Sequence, residues 1–411
     1  MIKKRSFWLT LALVNLCIVA FLGFSLRSKI LFPLAFLDYS ALLSAHSHFA
    51  FAGWVGLSVI TLFIYDVLPQ QFSNRKIYQW VLALIETSGL GMAVLFPFFG
   101  YNNITIAFST LYIIGVVVFV PVFIKDILRT DAHKNVKILS VSALTSLILS
   151  FLGTVGLMYI IITRSGGSLL YRDSIYTFLH FQYNGFFTLA VFALLINFIY
   201  KKGIELNKNA ERFSILLCVS IIPALFLALL WHNKNIFYLL GGLGCILMMA
   251  ALFYFFRFLK SVSLQQIFNR KIERTFLAFS LISFVLKMLL QVGTIFPQLG
   301  NAVYGDRPVI IGFLHLVFLG FVTFFLLAIY INHDLFTIRN KISNFPFVVF
   351  SVGIIANETL LAVQGLGILL QTNGEIFKWL LWAVAIILFA GALFITFARL
   401  RVARLQKNKA T

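Results

Sequence analysis

Apolar residues run along this chain in twelve blocks, near residues 7–26, 39–68, 77–97, 103–124, 138–163, 174–200, 213–231, 236–256, 273–296, 308–332, 345–370 and 376–398. Each block is near or above the ~20 residues needed to cross a bilayer as a helix. Helix is the form expected, because no water is present in hydrocarbon to satisfy an open backbone amide. The polar positions between the blocks are short loops, none longer than about twenty residues. The pattern therefore predicts an all-α polytopic membrane protein of twelve transmembrane helices, forming one domain over residues 1–411.

Inside the second block lies Ser44-Ala45-His46-Ser47-His48-Phe49-Ala50-Phe51-Ala52-Gly53-Trp54. Part of it recurs. His48-x4-Gly53-Trp54-Val55 is echoed by His180-x4-Gly185-Phe186-Phe187 and His315-x4-Gly320-Phe321-Val322, at spacings of 132 and 135 residues. That period is about a third of the chain, so the helices are expected in three pseudo-symmetric groups of four. At 1.5 Å per residue, His46, His48, His180 and His315 fall at a common depth, about 9–13 Å below the outer ends of blocks two, six and ten. His232, at the outer end of block seven, lies just above them.

Composition supports the membrane assignment: 61% of residues are hydrophobic, 11% are charged and the mean hydropathy is +0.98, against about 25% charged in a soluble domain. The formal charge of +20 would suggest nucleic acid in a soluble protein, but these cations sit in loops. Assigned alternately, one side carries 25 Lys and Arg and the other seven: Arg27, Lys29, Arg164, Arg172, Lys234, Arg307 and Lys378. The positive-inside rule then puts both termini in the cytoplasm of a bacterial-type inner membrane, in contact with lipid and with no nucleic-acid partner. The opening Met1-Ile2-Lys3-Lys4-Arg5 resembles a signal peptide, but the apolar run after it is too long and reads as a retained helix. Cys17, Cys218 and Cys245 share no motif and read as packing residues.

Neutral imidazole suits iron, copper and zinc. Cys and carboxylate groups are absent at the histidine depth, which argues against structural zinc. His46 and His48, two residues apart, point about 200° away from each other on a helix. Only one of them faces a given ligand, and the repeat favours His48. Tyr183, one turn after His180, either bonds within such a site or packs. Glu86, Lys287 and Glu358 lie deeper, as a proton path or as a helix-bridging pair in which Lys287 meets Glu86 or Glu358. Arg172 and Arg307 flank the histidine helices, to hold anionic groups or to anchor at the interface. The Gly241-Gly242-Leu243-Gly244 run reads as close helix packing rather than a phosphate loop.

With these positions in hand, the chain resembles the heme-copper oxidase subunit I superfamily, which includes nitric oxide reductases and related membrane proteins of nitric oxide response. The resemblance implies heme, of b type, and copper. His48 or His46 matches the helix-two heme ligand and His315 a helix-ten heme ligand; His180 and His232 fall at the helix-six and helix-seven copper positions. Arg172 and Arg307 would meet heme propionates, and Glu86, Lys287, Glu358 and Tyr183 a proton path. The chain departs from the family in three places. Phe313-Leu314-His315 holds one histidine where the family has two, Asn233 follows His232, and His180-Phe181-Gln182-Tyr183 replaces His-Pro-Glu-Val-Tyr. The expected function is heme-based electron transfer or nitric oxide or oxygen handling without a complete binuclear centre, with an electron donor or partner subunit. The alternative is a twelve-helix secondary transporter with a histidine-lined outer site. As a test of topology, a reporter fused after Thr411 is expected to behave as cytoplasmic and one inserted at Asn102 as external; the reverse result at either point defeats the alternation.

Overall fold

The computed structural model describes residues 2–163, 168–338, 341–369 and 374–408. Twelve helices are long and apolar enough to cross a membrane: α1 (Lys4–Leu31), α2 (Tyr39–Val67), α3 (Lys76–Phe99), α4 (Asn103–Leu128), α5 (Lys134–Thr163), α6 (Leu169–Lys201), α7 (Lys208–His232), α8 (Asn235–Leu259), α9 (Lys271–Gly293), α10 (Arg307–Asn332), α11 (Ile342–Gly367) and α12 (Ile376–Gln406). No strand occurs among the described residues. The protein is an all-α, multi-pass membrane protein. Arg164, counted among the outer cations, lies outside the described residues.

Packing divides the chain into two compact units, residues 1–65, 69–119 and 326–411 in the first and 66–68 and 120–325 in the second. The threefold grouping expected from the repeat is neither confirmed nor contradicted by this division. In the first unit the last helix closes on the first. Thr396 Oγ1 of α12 donates to the Leu13 carbonyl of α1 at 2.9 Å, and Trp382 Nε1 donates to Ser28 Oγ at 3.0 Å. Arg399, buried in α12, gives Nε to Thr10 Oγ1 at 2.7 Å, Nη1 to the Leu335 carbonyl at 3.0 Å and Nη2 to Ser6 Oγ. A cation buried in an apolar bundle must spend its donors in this way.

The short connections pair neighbours antiparallel, as their lengths require. Between α3 and α4 the chain reverses at Gly100, whose φ of 56° lies in the left-handed region. Asn102 then caps α4 by accepting from the Ile104 and Thr105 amides at 3.0 and 2.9 Å. Between α7 and α8 the reversal follows a 3-10 stretch, Phe226–His232, and a left-handed Asn233. The glycine run works as close packing. A Cβ on Gly244 would stand 2.7 Å from the Ala224 amide nitrogen and one on Gly241 3.1 Å from Leu227, while Gly242 faces open space.

His133 lies in the turn that joins α4 to α5, and its neighbour Lys134 pairs with Glu211 at 2.7 Å. Partial burial, together with Lys134, holds the His133 imidazole below its ordinary pKa, against the opposing pull of Glu211.

Gly244→Ala is expected to destabilise the protein by about 1–3 kcal/mol, because the added methyl must push two backbones apart. Gly242→Ala is expected to leave it unchanged or slightly more stable. Thermal unfolding of the two variants in detergent is the measurement; equal melting temperatures would remove the glycine packing argument.

Candidate histidine sites in the membrane helices

Each of the three repeated histidines is followed by a π-helical stretch: Ala50–Gly56 behind His48, Phe181–Phe187 behind His180 and Leu316–Thr323 behind His315. The sequence repeat is thus also a repeat of local backbone structure, of a kind that concentrates at functional sites. A π-turn shifts the hydrogen-bond ladder and frees a carbonyl. In α2 the Leu57 amide reaches the Ala52 and Trp54 oxygens and skips Gly53, whose carbonyl instead accepts from Asn15 Nδ2 of α1 at 2.8 Å. In α10 the Phe321 carbonyl accepts from Ser280 Oγ of α9 at 2.7 Å as well as from the Phe324 amide.

The glycine four positions beyond the successor of His180 and of His315 lets a neighbouring helix approach, while a Cβ on Gly53 would strike Phe49 of its own helix. A Cβ on Gly320 would meet Ser283 Oγ at 2.7 Å, and one on Gly185 would collide with Ser146. Gly53 faces Gly89 of α3, whose own Cβ would lie 3.6 Å from the Gly53 Cα.

The imidazoles divide into two kinds by which nitrogen meets a carbonyl. A carbonyl only accepts, so the nitrogen beside it carries the proton and the lone pair belongs to the other. His48 Nδ1 donates to the Ser44 carbonyl one turn back at 2.8 Å, and His315 Nδ1 to Ile311 in the same way at 2.8 Å. Both rings therefore carry their lone pair on Nε2. The His48 ring stacks on Phe96 with centroids 5.0 Å apart, and Tyr101 Oη donates to its Nε2 at a long 3.4 Å.

His46 points the other way. Its Nδ1 donates to the Val19 carbonyl of α1 at 3.1 Å, and its ring lies where a Cβ on Gly23 would come within 3.1 Å. The two histidines of α2 thus face different neighbours, α1 and the α3 end.

His180 is the opposite tautomer and is 1% exposed. Its Nε2 donates to the Ile221 carbonyl of α7 at 2.8 Å, and its Nδ1 accepts from Asn184 Nδ2 at 3.0 Å. His232 Nε2 donates to both carboxylate oxygens of Asp173 at 3.0 Å, with its ring 3.9 Å from that of Trp231. Among the described residues no group of three or more His, Cys, Asp or Glu is arranged to hold a metal ion.

No protein-family model and no curated protein matches the sequence. Among solved structures the chain is similar to a heme-copper terminal oxidase dimer determined by cryo-electron microscopy, at a TM-score of 0.69 and 15% identity, over 97% of this chain and 84% of that one. The fold is that of a heme-copper oxidase subunit I.

On this oxidase fold the remaining positions resolve individually. Arg172 is exposed, with its guanidinium 5.1 Å from the Trp231 ring centre. Arg307 is exposed at the first turn of α10. Tyr183 sets its ring edge-on to Phe313 at 5.3 Å and to His180 at 6.4 Å. Lys287 is 1% exposed; its Nζ donates to Thr188 Oγ1 at 3.4 Å and lies 3.9 Å from Met288 Sδ. Glu86 accepts from Asn15 Nδ2 at 2.7 Å, and the half-buried Glu358 accepts from Asn357 Nδ2 at 3.0 Å. Each of the three deep ionisable groups thus takes a neutral partner, where a helix-bridging ion pair was one of the sequence's two expectations.

Sequence reasoning missed Asn15, Tyr101, Asp173 and Asn184. Asn15 and Asn184 carried a signal, since an amide in an apolar span is costly unless it serves a neighbour. Replacing Asn184 by Leu leaves the buried His180 Nδ1 without its donor. Asn184→Leu is therefore expected to cost about 1–3 kcal/mol in thermal stability. A variant as stable as the wild type would show that the pair is not what holds His180.

Proposed function

We propose that the chain is a heme-binding protein of a bacterial-type inner membrane, working in electron transfer or in nitric oxide or oxygen handling. The observation that carries this reading is the shared state of His48 and His315. Each donates Nδ1 to its own helix one turn back and carries its lone pair on Nε2. A backbone acceptor on the far nitrogen is the usual support of a ligating imidazole, because it selects the tautomer and raises the basicity of the ligating atom. The oxidase fold and the helix-two and helix-ten positions of these residues support the same assignment. His48 is preferred to His46, whose ring is turned to α1 by its bond to Val19.

Heme of b type, when bound, would supply one-electron chemistry. The chain's own part is to hold the rings, to exclude water with Phe96 beside His48, and to offer Arg172 and Arg307 to anionic groups at the outer surface. Copper has no place in this proposal. Both nitrogens of His180 already serve protein hydrogen bonds, and His232 is joined by no second histidine, since Asn233 follows it. Lys287, Glu86 and Glu358 are proposed as buried proton-exchanging groups, and an electron donor or partner subunit remains part of the reading.

Protein purified from heme-replete cells is expected to show a low-spin heme spectrum. His315→Ala and His48→Ala are expected to abolish it, and His133→Ala, in the cytoplasmic loop, to leave it intact. Wild-type protein without heme overturns the reading and returns the secondary transporter to first place.

A further inference from the structure

Glu86 lies well inside α3 at 6% exposure, and among the described residues its hydrogen-bond partner is an amide rather than a cation. Its two oxygens differ. Oε2 accepts from Asn15 Nδ2 at 2.7 Å, whereas Oε1 is sealed from solvent with no partner. Asn15 is fully buried and shows the same imbalance. Both amide hydrogens are spent, one on Glu86 and one on the Gly53 carbonyl at 2.8 Å, while its own Oδ1 is sealed and without a partner.

Two acceptor oxygens on a bonded pair of side chains, both out of water and both lacking a donor, form a costly arrangement. An ionised carboxylate in such surroundings is costlier still and takes up a proton instead. One proton resolves both shortages. Placed on Glu86 Oε1 it donates to Asn15 Oδ1, while Asn15 Nδ2 continues to donate to Oε2, the paired hydrogen bonds that an acid and an amide form side by side. A metal cation fits less well, because hard cations gather six or more oxygens and this pair offers two.

We infer that Glu86 is held as the neutral acid, sharing its proton with Asn15, and that through Asn15 this proton-holding pair pins the π-helical turn behind His48 to α1 and α3. The pinning follows from the second Asn15 hydrogen bond. The Gly53 carbonyl lies within the π-helical stretch, and Asn15 donates to it. The small pair Gly53 and Gly89 allows α2 and α3 to come close enough for one amide to serve both.

Infrared absorption of the purified full-length protein at neutral pH tests this. The wild type is expected to show a carboxylic C=O stretching band that moves down in D2O, is absent from Glu86→Gln and persists in Glu358→Gln. Asn15→Leu is expected to move the band to higher frequency, because the carboxyl loses its hydrogen-bonding amide; a purely space-filling Asn15 would leave the frequency unchanged. Glu86→Gln keeps an amide in the pair and is expected to melt close to wild type, well above Glu86→Leu. Carboxylate bands in the wild-type minus Glu86→Gln difference overturn the proposal by showing a charge, and a band shift on adding sodium, potassium or calcium ions overturns it by showing a bound cation. The Asn15→Leu and Glu358→Gln spectra do not depend on Glu86→Gln folding. All these signals come from the carboxyl group itself, so they stand or fall separately from heme binding.

Discussion

Inside hydrocarbon every polar atom must find its partner within the protein, and in this chain the consequences of that constraint meet at the membrane histidines. An imidazole brings one donor and one acceptor, and whichever nitrogen meets a carbonyl is committed as the donor. His48 and His315 meet that requirement within their own helices, at the carbonyl one turn back. His180 meets it across to α7 and then needs Asn184 for its second nitrogen. The same residue type at the same point of a sequence repeat therefore ends in two chemical states, and the difference lies in which carbonyl comes within reach.

The π-helical stretches follow from the same accounting. Widening a turn costs a ladder bond, and the loss is tolerable only where another donor takes the freed carbonyl. In two of the stretches a neighbouring side chain bonds a carbonyl, Asn15 at Gly53 and Ser280 at Phe321. The glycine in each repeat is the steric counterpart, because a neighbouring helix must come close for those donors to arrive. What reads in the sequence as a histidine motif is thus equally a motif for helix contact, with Ser146 against Gly185 and Ser283 against Gly320.

This explains what the sequence made legible. Span number rests on hydropathy, a property summed over many residues, and the twelve helices emerge almost at the expected bounds. The equivalence of His48, His180 and His315 also came from pattern, and it reappears in the backbone. Partner identity did not. Nothing along the chain says that Glu86 meets Asn15, 71 residues away, rather than Lys287, or that Arg399 reaches Thr10 and Leu335. Those pairings depend on helix rotation and on which helices adjoin, and single charged or amide residues in apolar spans carry too little periodicity to fix either. The closure of α12 on α1 was illegible for a related reason, since it joins the two ends of the chain.

At 15% identity, the likeness to a heme-copper terminal oxidase is one of fold alone. Within that fold each buried polar residue must be satisfied locally. Where the resemblance would place a copper ligand, His180 stands with both nitrogens engaged; Asn184, one turn on, supplies the donor that its Nδ1 accepts. Freeing that nitrogen would strand either the ring or the amide, so His180 is bound to its structural duty by the residue beside it. His48 and His315 spend Nδ1 within their own helices instead, so the difference between α6 and the other two helices lies in which carbonyl each ring reaches.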